Sequence, residues 1–254
     1  MWLKLLLVAA SVLLSSLAAR RFGHAVGGTL GGLPMIAGPI AGFVLLAAPV
    51  QEVRDIAQAT LVCLPATVAH LLTFAWTSVR GPWWLGLLLA NAAFFAAGLA
   101  LPLLQMPAWS SLPLALLALV LGQALMPRLH VRPAPVAISP LELACRVLAA
   151  MLVAWLIVRS AGLAPAAWIG LLLAVPITGS VLPAFTLPRH GAAATAALIR
   201  GFLRGLFGFV AFFSTLGAML ERTGALTAYV SAWGAALLVA IGLYLWQERR
   251  ARRA

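Results

Sequence analysis

Charges and turn residues divide this chain into apolar runs long enough to cross a bilayer, and those runs constrain its fold more than any other feature. A spanning helix needs about 20 apolar residues. The spacing predicts nine such helices, over residues 2–19, 27–50, 56–78, 83–104, 109–126, 140–158, 164–186, 192–218 and 224–246. They take up most of the 254 residues and leave no room for a soluble domain. Composition agrees, since 64% of residues are apolar and 9% charged, where a soluble domain carries about a quarter charged. So apolar a chain cannot stay solvated as a disordered one. The expected fold is all-α and polytopic, with membrane lipid as its first partner.

The net charge of +12 reads as a topology signal, because no basic run is interleaved with aromatics as a nucleic-acid face would be. Counted on alternate sides of nine spans, one side collects Arg20, Arg21, Arg80, Arg128, Arg132, Arg189, Arg249, Arg250, Arg252 and Arg253. The other holds Lys4, Arg54, Arg159 and Arg222, with Glu52, Asp55 and Glu221 nearby. The bias places the N-terminus outside and the C-terminus in the cytoplasm. Cleavage after Ser16-Leu17-Ala18, as in a signal peptide, would strand Arg20 and Arg21 outside, so the first span is expected to stay. Cys63 and Cys145 fall in apolar stretches and read as buried thiols.

Two spans are interrupted in the same way. The second carries Leu33-Pro34, Gly38 and Pro39; the seventh carries Val175-Pro176, Thr178-Gly179 and Pro183. Proline removes a backbone donor, so both helices should kink or unwind near mid-bilayer. The following spans align loosely, 57–76 with 193–213. The predicted organisation is a four-helix repeat (1–105), a linker helix and Pro-rich cytoplasmic loop (106–138), and a second four-helix repeat (139–254). An offset of five spans turns the second copy over, giving an inverted-topology repeat of four, one and four. Ser139, Pro140 and Glu142 mark the start of the sixth span as a capping box.

The first hundred residues resemble the small four-helix bacterial membrane proteins of the GlpM-like kind. The likeness rests on Lys4, Arg20-Arg21, Gly27-Gly28 through Leu33-Pro34, Glu52 and Asp55 in an acidic turn, Leu64-Pro65, and Arg80-Gly81 before Trp83-Trp84. It implies a four-span unit in a bacterial inner membrane, and no reaction.

Paired Pro/Gly-interrupted spans in matching halves point to a transport site near the midplane, here around Pro34, Gly38, Pro39, Pro176, Thr178 and Gly179. Arg200 and Arg204, one turn apart in the eighth span, would face a small anionic solute there, or else snorkel to the interface. His70, midway along the third span, reads as a proton-sensitive group or as a residue bonded to a neighbouring helix. Arg146 should pair with Glu142, and Asn91 and Gln123 should bond across helices. Trp83, Trp84, Trp109, Tyr244 and Trp246 fit interfacial belts. Enzyme chemistry has no support, for there is no carboxylate pair at depth, no metal-spaced cluster and no nucleophile with a base; neither cofactor nor metal is expected. The leading expectation is a secondary transporter or exporter; the other is a non-transporting assembly or regulatory subunit. Nine spans in an inverted pair suffice as a monomer, and a homodimer is also compatible with the sequence.

Overall fold

The computed structural model describes residues 27–104, 106–129, 139–160 and 163–251, with positions 6, 8–10 and 13 before them. Most of the expected first span, Lys4, Arg20, Arg21, the possible cleavage site, residues 130–138 of the Pro-rich connection and the last two arginines lie outside the described residues.

Every regular element among these residues is helical: α1 (27–32), α2 (Ala37–Leu45), α3 (Val50–Val62), α4 (Leu64–Thr77), α5 (Trp83–Ala100), α6 (Ser111–Leu125), α7 (Pro140–Ser160), α8 (Ala166–Ala174), α9 (Ile177–Thr223) and α10 (Ala225–Ala251). Seven helical stretches among them are long and apolar enough to span a membrane. The longest, Ala166–Thr223, has 58 residues. Straight, it would run about 87 Å at 1.5 Å per residue, nearly three bilayer cores. It is not straight: the chain leaves helical geometry at Val175–Pro176 and again at Gly191, whose φ of 76° and ψ of 179° turn it sharply. Glycine takes that positive φ without a Cβ penalty.

Several boundaries move from their predicted places. Pro49 starts α3 at Val50, so Glu52 and Asp55 sit on its first turns and not in an acidic turn. The sixth span begins as expected, with the Ser139 hydroxyl accepting from the Glu142 N–H at 3.2 Å. The Glu142 carboxylate pairs with buried Arg146 one turn on, and lies 4.0 Å from Arg189 near the Gly191 corner.

The starts of helices recur at one spacing. The second break is centred on Pro176, 142 positions after Pro34. The same distance separates Pro49 from Gly191, which precede the helices beginning at 50 and 192, and Pro82 from Gly224, which precede α5 and α10. No insertion or deletion intervenes. This register pairs Ala57 with Ile199, shifting the loose alignment of 57–76 with 193–213 by about a turn and a half of helix. Gly28 and Gly170, Leu64 and Leu206, Thr73 and Thr215, and Arg80 and Arg222 are identical pairs in it.

Packing follows that register. Where α1 crosses α9, a Cβ on Gly28 would lie 2.0 Å from the Leu198 carbonyl oxygen, and one on Gly205 would lie 2.0 Å from that of Thr29. Where α8 crosses α3, a Cβ on Gly170 would meet the Ala59 backbone at 2.7 Å. Small residues let backbones touch where lipid supplies no hydrophobic drive between helices. The α3–α4 and α8–α9 stretches are two-thirds buried (67%), against 17% for α5 and α10. The α3–α4 and α8–α9 stretches therefore form the centre, and α5 and α10 face outward.

Candidate functional site

Both breaks share one hydrogen-bond pattern. The Met35 N–H donates to the Leu33 carbonyl at 2.7 Å, and the Gly38 N–H to Pro34 at 2.7 Å. In the other half, the Ile177 N–H donates to Val175 at 2.8 Å, and the Ser180 N–H to Pro176 at 2.7 Å. A bond spanning only two residues defines an inverse γ-turn, and Pro176, at φ −80° and ψ 65°, has its geometry. Proline fixes φ near this value and supplies no N–H to the helix. The second proline of each segment breaks nothing. Pro39 sits in the first turn of α2, where no donor is required, and Pro183 lies inside continuous helix.

The two γ-turns face one cavity of about 50 Å³. Gly31–Leu33, Ile36 and Ala37 line one side, and Leu172–Thr178 the other; Leu64 and Thr67 of α4 and Phe202, Leu206 and Phe209 of α9 close it. A water needs about 10–15 Å³ by this measure, so the space suits a few waters or one small ion. The carbonyls at the breaks are largely occupied. Those of Leu33, Pro34, Val175 and Pro176 accept the bonds above, and that of Ala174 accepts from the Thr67 hydroxyl at 2.7 Å. Opening on the cavity are the starts of α2 and α9, where the N–H groups of Gly38, Ile177 and Ser180 are taken by the breaks and Pro39 has none, so that those of Ala37 and Thr178 are the first-turn donors at the cavity wall. Among the described residues no carboxylate lines it. The balance at the breaks favours a hydrogen-bond acceptor carrying negative charge.

The expected site residues divide. Pro176 and Thr178 line the cavity, and Pro34 centres the turn opposite. Gly38 backs onto Trp233 of α10, its carbonyl accepting from the Tyr229 hydroxyl at 3.2 Å. Pro39 borders an apolar groove between α2 and α10 on the molecule's outside. Gly179 packs against Leu71 and Phe202. His70 is fully buried behind the cavity, its Nε2 3.2 Å from the Ser180 Oγ.

The arginines do not line the cavity. Arg200 donates to the Pro127 carbonyl beyond the end of α6 at 2.9 Å, and Arg204, one turn on, is half-buried. The Arg200 guanidinium thus reaches a carbonyl at a helix end and not the breaks. Gln123 bonds across helices, to the Arg200 carbonyl at 3.2 Å, but Asn91 bonds within its own helix, to Leu87 at 2.8 Å. Both cysteines are free thiols, Cys63 buried and Cys145 half-buried. Sequence reasoning overlooked Phe202, Leu206 and Phe209, whose three- and four-residue spacing puts them on one helix face. It also missed Ser180, whose partner is distant in the chain.

No protein-family model matches this chain, and neither a curated protein nor a solved structure shows significant similarity to it.

Proposed function

We propose that this protein is a secondary transporter of a small anionic solute, with its binding site between the γ-turn breaks at Pro34 and Pro176. One observation carries the reading: two interrupted helices, alike in hydrogen bonding and equally placed in their halves, open their helix starts onto the same cavity. Transporters with inverted repeats bind substrate at such half-helix termini, near the midplane.

The architecture behind this is nine crossings in an inverted repeat of four, one and four. Two observations support it besides the common spacing. Splitting Ala166–Thr223 at Gly191 raises the seven stretches to eight, and the apolar run over residues 2–19 of the sequence supplies the ninth. Contacts also sort the helix ends into two sets. Trp76 of α4 bonds the Leu125 carbonyl of α6, while Glu142 of α7 approaches Arg189 at the Gly191 corner. At the other end, Arg54 of α3 pairs with Glu221 of α9 at 2.5 Å. With the arginine-rich end cytoplasmic, the N-terminus is outside a bacterial inner membrane. The unit that duplicated is akin to the four-helix GlpM-like proteins.

A thermal-shift screen of the purified protein tests this against formate, acetate, nitrate and phosphate as sodium salts, with chloride as control. A ligand at a hundred times its dissociation constant stabilises by about 2.7 kcal/mol. At least one anion should do so in the native protein, and Arg200→Gln should leave that shift in place. If no anion stabilises the protein, the site is not a binding site, and a docking role for the kinked helices takes over.

A further inference from the structure

We infer that transport is coupled to protons, and that His70 is the residue that takes up the proton as the anion enters. This rests on the proposed site, and deepens it by naming the coupling ion.

His70 is the one titratable side chain of α4 and has no exposed surface. Its ring is set among acceptors. The Ser180 Oγ lies 3.2 Å from Nε2, and the backbone of Gly179 and of Ala90 also acts on the ring. Gly179 is available for a stated reason: an N–H at position 183 would claim its carbonyl, and that position is proline. Nδ1 makes no bond within the limits of a normal hydrogen bond. A neutral imidazole carries one N–H, and an imidazolium carries two donors for such acceptors.

Among the described residues no countercharge stands beside the ring. Of the elements packed on α4, α5, α6 and α8 carry no charged residue, and the charged residues of α3, Glu52, Arg54 and Asp55, are in its first turns. The charged or titratable residues of α9 are Arg189, His190, Arg200, Arg204, Glu221 and Arg222, and none of them acts on His70. A buried imidazolium without a carboxylate is costly, and so is a desolvated anion without a cation. The two sites adjoin. Thr67, which lines the cavity, is one turn before His70, and Ser180 follows the γ-turn that forms the cavity wall.

Each charge therefore lowers the cost of the other. The proton comes from water on the side from which the anion enters, binds the ring nitrogen lone pair, and leaves to water on the far side when the anion departs. Net transfer is one anion with one proton and moves no charge. The coupling is reciprocal by thermodynamic necessity.

The test measures formate affinity by thermal shift across pH in the native protein and in His70→Gln. In the native protein, affinity should fall about tenfold for each pH unit between about pH 6 and 8, following protonation of the ring. In H70Q it should be weaker at the acid end and independent of pH. Formate binding that ignores pH in the native protein overturns proton coupling and leaves the site standing. Absence of formate binding at every pH overturns the site itself. Should H70Q not fold, nitrogen-15 NMR of histidine-labelled native protein decides. Formate should convert a buried ring to imidazolium, and a ring that stays neutral with formate bound contradicts the proposal.

Discussion

Single residues decide how closely the helices approach. Gly205 touches the Thr29 carbonyl, whereas Gly234 on α10 has nothing within 4 Å of where a Cβ would stand. Gly205→Ala should therefore cost about 1–3 kcal/mol, by overpacking a backbone contact that cannot shift freely. Gly234→Ala should be neutral or stabilise by up to about 1 kcal/mol, since alanine is the better helix former. Melting curves of the two variants check this, and equal destabilisation would contradict it. At this scale the sequence is half legible. The Glu142–Arg146 pair follows from four-residue spacing and forms as expected. The direction of Arg200 depends on where α6 ends, and Ser180 meets His70 across 110 positions, so neither could be read locally.

Among the elements, the breaks were the most legible feature, because proline acts on its own turn of helix. Their physical content is sharper than a kink: a γ-turn that occupies its own carbonyls and leaves helix starts facing inward. Pro176→Ala restores an N–H and permits α8 to run into α9, so the variant should keep or raise its melting temperature while losing stabilisation by anions. Pro39→Ala, outside the cavity, should retain that stabilisation. Anion binding unaffected by Pro176→Ala would show that the turn is structural only. The helix start at 50 was hidden from periodicity, because polar residues of α3 resemble a loop until Pro49 and Gly191 are paired in register, whereas the start at 192 falls where the apolar run places it.

Over the whole molecule, two interrupted helices in equivalent positions line a small cavity, and α5 and α10 present their apolar faces outward. That the chain is helical, with several stretches long and apolar enough to cross a membrane, was readable because length and hydropathy are additive properties of sequence. The partnership of α1 with α9 and of α3 with α8 was not, since it depends on contacts between halves. The central claim is that this cavity opens alternately to the two faces of a membrane. Thiol labelling tests it in a background with Cys63→Ala and Cys145→Ala, using a membrane-impermeant reagent on right-side-out and inverted vesicles. Arg80→Cys and Arg222→Cys serve as face markers, each labelled from one side and the two from opposite sides. Thr178→Cys, at the cavity wall, should be labelled from both sides and protected on both by saturating formate. Labelling of Thr178→Cys from one side alone, or from neither, would contradict alternating access through this site.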